Sequence, residues 1–130
     1  MPVELKILAW GCVLAFVHIF AAAAAKTRQY GRRWNMGARD EKLPEPKPLV
    51  GRLMRAQANF FETFPIMAAA LLMVAVSGRG SAATQAAAFV WLGARILYLP
   101  LYAAGVPVVR TLVFALSVAA IVVVLWPVLF

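Results

Sequence analysis

Hydrophobic positions fall into four long blocks, 7–25, 50–76, 82–104 and 106–130, separated by polar or glycine- and proline-bearing stretches. Each block comes close to or exceeds the roughly 20 residues an α-helix needs to cross about 30 Å of hydrocarbon. None alternates with a period of two, so membrane-barrel strands are excluded, and helices remain the one way to satisfy the backbone in lipid. The pattern predicts spans over about 5–26, 49–76, 82–104 and 107–128 within a single domain, 1–130. The fold class expected is an all-α integral membrane protein, a four-helix up-down bundle. Pro48 suits the first turn of the second span, Gly78 and Gly80 the next connection, and Gly105 with Pro107 a tight turn before the last span. Pro65 is expected to kink the second span or to be accommodated by its neighbours, and Pro100 to kink the third. The stretch 27–48, with Gly31, Gly37, Pro44 and Pro46, reads as an irregular loop.

Composition supports the membrane assignment. The chain is 64% hydrophobic and 14% charged, where a soluble domain carries about 25% charged residues. Its mean hydropathy is +0.82. The net charge of +8 would suit nucleic acid, but its distribution argues otherwise. Lys26, Arg28, Arg32, Arg33, Arg39, Lys42 and Lys47 lie between the first two spans, whereas the connection 77–81 holds only Arg79. By the positive-inside rule the basic loop faces the cytoplasm and both termini face the opposite side. No nucleic-acid partner is expected; membrane lipid is. The positive charges follow the first apolar block, the reverse of a signal peptide, so that span is expected to be retained. Cys12 is alone and reads as a small buried packing residue. His18 reads as a hydrogen-bonded packing histidine, and Trp10, Trp91 and Trp126 as an interfacial aromatic belt. The alanine-rich stretches allow close helix approach.

Candidate chemistry lies on two polar faces. Arg52, Arg55, Asn59 and Glu62 share a wedge of about 80° on the second span. Charge in hydrocarbon is costly, by roughly 2.5–3.5 kcal/mol per residue, so such a stripe marks a site. Arg95, Tyr98 and Tyr102 share a face of the third span. The two faces are expected to meet in the half of the bundle nearest the basic loop, with Glu62 level with Arg95 and Arg110 at the rim. Guanidiniums, an amide, a carboxylate and phenols suit a small anionic or zwitterionic ligand with several carboxylates. A thiol held beside an arginine would become a nucleophilic thiolate near neutral pH. A plainer reading pairs Glu62 with Arg95 or Arg55 as an ion pair that fixes helix register. No second His or Cys lies at ligand spacing, so no metal site is expected.

The stretch 52–65, carrying Arg52, Arg55, Gln57, Asn59 and Glu62, resembles the second-helix signature of the MAPEG superfamily, membrane-associated proteins of eicosanoid and glutathione metabolism. Residues 94–102, with Arg95, Tyr98 and Tyr102, resemble its third-helix motif, and Arg110 follows where the family has an arginine. The basic loop with Arg39, Asp40 and Glu41 is similar to a bacterial branch. Thr63 stands where several glutathione-using members carry tyrosine. The resemblance implies a homotrimer in the bacterial inner membrane, with glutathione as co-substrate bound between subunits. It implies that Arg55, Asn59, Glu62, Tyr98 and Tyr102, in a wall that includes Arg52 and Arg95, hold glutathione. Arg110 is the implied catalytic residue, stabilising the thiolate, and Arg28 and Gln57 reach a neighbour's site. The activity implied is a transferase or peroxidase acting on lipophilic electrophiles. A non-catalytic lipid-binding or scaffold member is the first alternative. A small multidrug transporter is the second, although a crowd of arginines would repel its cationic cargo.

Overall fold

Pro2 leads into α1 (Val3–Tyr30) with an extended backbone, and Gly31, at φ 98°, stops it. The computed structural model describes all 130 residues. A short α2 (Arg32–Met36) follows, then α3 (Pro48–Ser77), α4 (Ala82–Ala103) and α5 (Pro107–Leu129). The four longer helices are each long and apolar enough to cross a membrane. The chain is thus an all-helical, multi-pass membrane protein.

Local signals account for the boundaries. Pro48 and Pro107 occupy first turns, where the missing N–H costs nothing. Gly78 caps α3 in the left-handed region, which L side chains rarely adopt. Ser81 starts α4 with a reciprocal cap: its hydroxyl accepts from the Thr84 amide at 3.2 Å, and Thr84 Oγ1 accepts from the Ser81 amide at 2.8 Å. Helix α3 continues through Pro65 and α4 through Pro100, so neither proline ends its helix.

The basic stretch is more ordered than its composition suggests. Helix α1 runs past the expected boundary to Tyr30, and α2 occupies part of the predicted loop. Tyr30 packs against Trp34 at 5.1 Å and the Arg39 guanidinium lies 4.5 Å from the Trp34 ring. Gln29 then pins the far end: its amide donates to Glu45 O at 3.0 Å and accepts from the Lys47 amide at 2.9 Å. This side-chain bonding supplies the order that glycine and proline content concealed.

The core joins Phe60, Met67, Leu71 and Val74 of α3 to Trp91 of α4, Ile7 and Leu14 of α1, and Ile121 and Val124 of α5. An aromatic column runs through it, His18 to Phe60 at 4.7 Å, Phe60 to Phe64 at 4.9 Å and Phe64 to Trp91 at 5.9 Å. Gly11 admits this column, since a Cβ there would sit 2.8 Å from Phe64 Cε1. Three expectations are corrected. Trp91 is fully buried, so only Trp10 and Trp126 are exposed as belt residues would be. Cys12 is exposed on the outside of α1 and does not pack inside. His18 is buried but neither ring nitrogen has a hydrogen-bond partner; it packs by stacking on Phe60.

At the end away from the basic segment, Glu4 is buried to 2% exposure. Its carboxylate accepts from Thr84 Oγ1 at 2.9 Å, beside the N-terminus of α4, where the helix dipole favours negative charge. Glu4→Ala should therefore cost about 1–2 kcal/mol of stability. Thermal unfolding in detergent checks this; an unchanged midpoint would show that the α1–α4 contact contributes nothing.

Candidate functional site

Three arginines and a phenol converge where α3 begins and α4 turns into α5. Arg52, Arg55, Tyr102, Gly105 and Arg110 line an open depression of about 300 Å³ at the basic-segment end of the bundle. Its position follows from local chain geometry. The α4–α5 turn is closed by the Ala104 amide donating to Pro100 O and the Gly105 amide donating to Tyr102 O. Gly105 sits at φ 75°, and a Cβ on it would come within 3.2 Å of the Arg52 guanidinium. The positive φ favours glycine there, and any Cβ would also push the Arg52 guanidinium by a few tenths of an ångström. Arg52 Nη1 donates to Ala103 O at 2.9 Å, fastening the start of α3 to the end of α4.

Arg55 Nε donates to the Tyr102 hydroxyl at 3.2 Å. The Arg110 guanidinium lies 4.6 Å from the Tyr102 ring centroid, so this phenol is held from its edge and from its face. No carboxylate lines the depression. Guanidiniums present planar, bidentate donors, and their concentration without an acid suits a carboxylate or thiolate ligand.

Below this rim the wall becomes dry. Tyr98 is buried, edge-on to Tyr102 at 5.5 Å and tilted against Phe114 at 6.2 Å. Arg95 lies behind it, fully buried, its guanidinium 4.3 Å from the Tyr98 ring and its Nη1 donating to Asn59 Oδ1 at 2.9 Å. Phe114 was not singled out from the sequence. It stands four residues after Arg110, and helical spacing places both on one face of α5, which was the available signal.

The remaining sequence candidates lie apart from this group. Glu62 is exposed, whereas Arg95 is sealed inside and bonds Asn59, so the register-fixing ion pair between them does not form. Their helix faces diverge: Arg95 points into the core over Phe60, at 5.3 Å, while Glu62 points out of the bundle. Arg55, the other proposed partner of Glu62, is turned to Tyr102. Gln57 is half-buried. Arg28 is exposed and lines a separate cavity of about 240 Å³, shared with Lys47, Leu49 and Val50.

A search among curated proteins found no match to this chain. The family model of the MAPEG family matches residues 7–130, which takes in α1 from its second turn, the other three long helices and every residue of the depression. A match over that much of the sequence shows that the chain belongs to the MAPEG family, whose members serve glutathione and eicosanoid metabolism in membranes.

Proposed function

We propose that this chain is a glutathione-dependent transferase or peroxidase of a bacterial inner membrane, working as a homotrimer on lipophilic electrophiles. The observation that carries the reading is the acid-free depression in which Arg55 and Arg110 hold Tyr102 between them. Such a site stabilises a thiolate by charge that is already in place before reaction. The thiol proton leaves to water at the open rim. The sulfur lone pair then forms the new bond to an electrophilic carbon, whose leaving group departs with the bonding pair. No general base is needed beyond that water.

In this reading Arg52, Arg55 and Tyr102 face glutathione with Arg110 at the sulfur and Asn59 one turn deeper; Tyr98 backs Tyr102 from inside, and Glu62, outside the depression, reaches the ligand only where a neighbouring subunit closes the site. Arg28 and Gln57 serve the site of a neighbouring subunit. Support for an assembly comes from α3, whose outward face carries Glu62 on a membrane-crossing helix. Lipid is a poor solvent for that charge, and a second copy covers it better. The basic segment faces the cytoplasm, with both termini opposite, so the depression opens to cytoplasmic glutathione.

One feature favours a lipid-binding, non-catalytic member instead. A cavity of about 460 Å³ between α1 and α4 is lined solely by hydrophobic side chains, among them Trp10, Leu14, Phe89 and Ile96. That groove equally serves an enzyme whose second substrate arrives from the bilayer. Ultraviolet difference spectroscopy of the purified protein, titrated with glutathione at neutral pH, separates the two. A saturable thiolate absorbance is expected of the enzyme. Folded, assembled protein that gives none would favour the lipid-binding reading.

A further inference from the structure

Arg95 carries a charge that no carboxylate contacts. Its Nη1 donates to Asn59 Oδ1, while Nε and Nη2 have no partner in the chain. Aromatic faces surround it: Tyr98 at 4.3 Å, Phe60 at 5.3 Å and Phe114 at 6.0 Å. Those faces offset part of the cost of burying the cation. They also close it off, because the whole residue has no exposed surface.

A guanidinium donates and never accepts. The oxygen of the Asn59 amide must therefore turn inward to Arg95, and its nitrogen must turn the other way. Asn59 is half-buried, and its Nδ2 is neither bonded within the chain nor sealed from the surface. It lies one helical turn from Arg55 on the same face of α3. A free asparagine could present either end of its nearly isosteric amide, and so would serve donors and acceptors alike. Arg95 removes that choice, and a charge-assisted bond to the oxygen polarises the outward N–H groups as well.

We infer that Arg95 does not meet the ligand and is instead a positioning residue, locking the Asn59 amide with Nδ2 outward so that this point reads a hydrogen-bond acceptor, a carboxylate oxygen. The inference rests on the glutathione reading only for which molecule brings that carboxylate. Asn59 and Arg55 then form a donor pair on α3, and the exposed Glu62 carboxylate ends it one turn further on.

The test uses the full-length protein in detergent and three probes, glutathione, the simple dicarboxylate glutarate and its neutral diamide glutaramide. Asn59→Asp keeps an oxygen for Arg95 but replaces the outward N–H groups with a second oxygen. It should weaken both carboxylate probes by about tenfold or more without lowering the unfolding midpoint. Arg95→Met frees the amide to rotate, and should narrow the preference for glutarate over glutaramide several-fold, a ratio that mere loosening of the fold would leave alone. If Arg95→Met does not fold, Arg95→Gln, whose amide can either donate to or accept from Asn59, takes its place in the same comparison. Unchanged affinity in Asn59→Asp, or an unchanged preference in folded Arg95→Met, would overturn the inference. If wild type binds glutarate but not glutathione, and Asn59→Asp abolishes that binding, the inference stands and the glutathione reading falls. If wild type binds neither carboxylate probe, both fall.

Discussion

Arg110→Ala should reduce glutathione-dependent turnover by about 100- to 1000-fold, the usual cost of removing one fixed stabilising group from developing negative charge. Arg110 sits at the start of α5, after the turn that Gly105 permits, and its guanidinium covers the Tyr102 ring at 4.6 Å. Alanine leaves the phenol and Arg55 in place, so a ligand carboxylate can still be held while the sulfur loses its counter-charge. The loss should fall mainly on the chemical step, with glutathione affinity changed far less. Neutral-pH thiolate absorbance should vanish in parallel. Arg110→Lys should restore only part of the rate, since an ammonium is a point charge without the planar fork. Full thiolate absorbance in Arg110→Ala would remove Arg110 from the sulfur and move attention to Arg55.

Phe60→Ala should be the most damaging single change to the fold, costing about 3–5 kcal/mol. Phe60 is fully buried and touches four aromatic partners, stacking on His18 and Phe64, meeting Phe61 edge-on at 5.6 Å and reaching Trp91 at 6.3 Å. It is also one of the faces beneath the Arg95 guanidinium. Truncation opens a cavity between a histidine without hydrogen bonds and a cation with two unpartnered nitrogens. Neighbours cannot collapse into that space without bringing these polar groups against apolar surface. Denaturant or thermal unfolding of the purified variant measures the loss. A shift equivalent to less than about 1 kcal/mol would show that the aromatic column is dispensable.

The spans were legible because lipid imposes one simple rule on composition, and the blocks obey it. Arg52, Arg55, Tyr102 and Arg110 were legible because charge amid apolar residues is expensive and helical spacing shows which charges share a face. What periodicity does not supply is rotation of one helix against another. Arg95 and Glu62 have matching depth on paper, yet Arg95 turns inward over Phe60 and Glu62 turns out. The same gap hid Trp91 in the core and Cys12 on the outside. Glu4 belongs to neither of the polar faces that helical spacing marks. Its pairing with Thr84, 80 residues away, follows from tertiary packing that no local pattern records. The Gln29 bridge to Glu45 and Lys47 was hidden for the same reason.

The longer helices pack most extensively as two pairs, α1 with α3 and α4 with α5, like the two leaves of a book. The leaves are stitched at both ends. Arg52 and Arg55 reach from the first leaf to Ala103 and Tyr102 of the second, and Glu4 reaches Thr84 at the opposite edge. Between the stitches the Arg95–Asn59 hydrogen bond ties α4 to α3, whereas on the α1–α4 side the hydrophobic groove is lined by apolar side chains alone. Splaying is therefore easiest along that groove, sideways into the bilayer. An anion seated among the three arginines would act as a rivet at one end, stiffening the spine while leaving that lateral slit free to breathe.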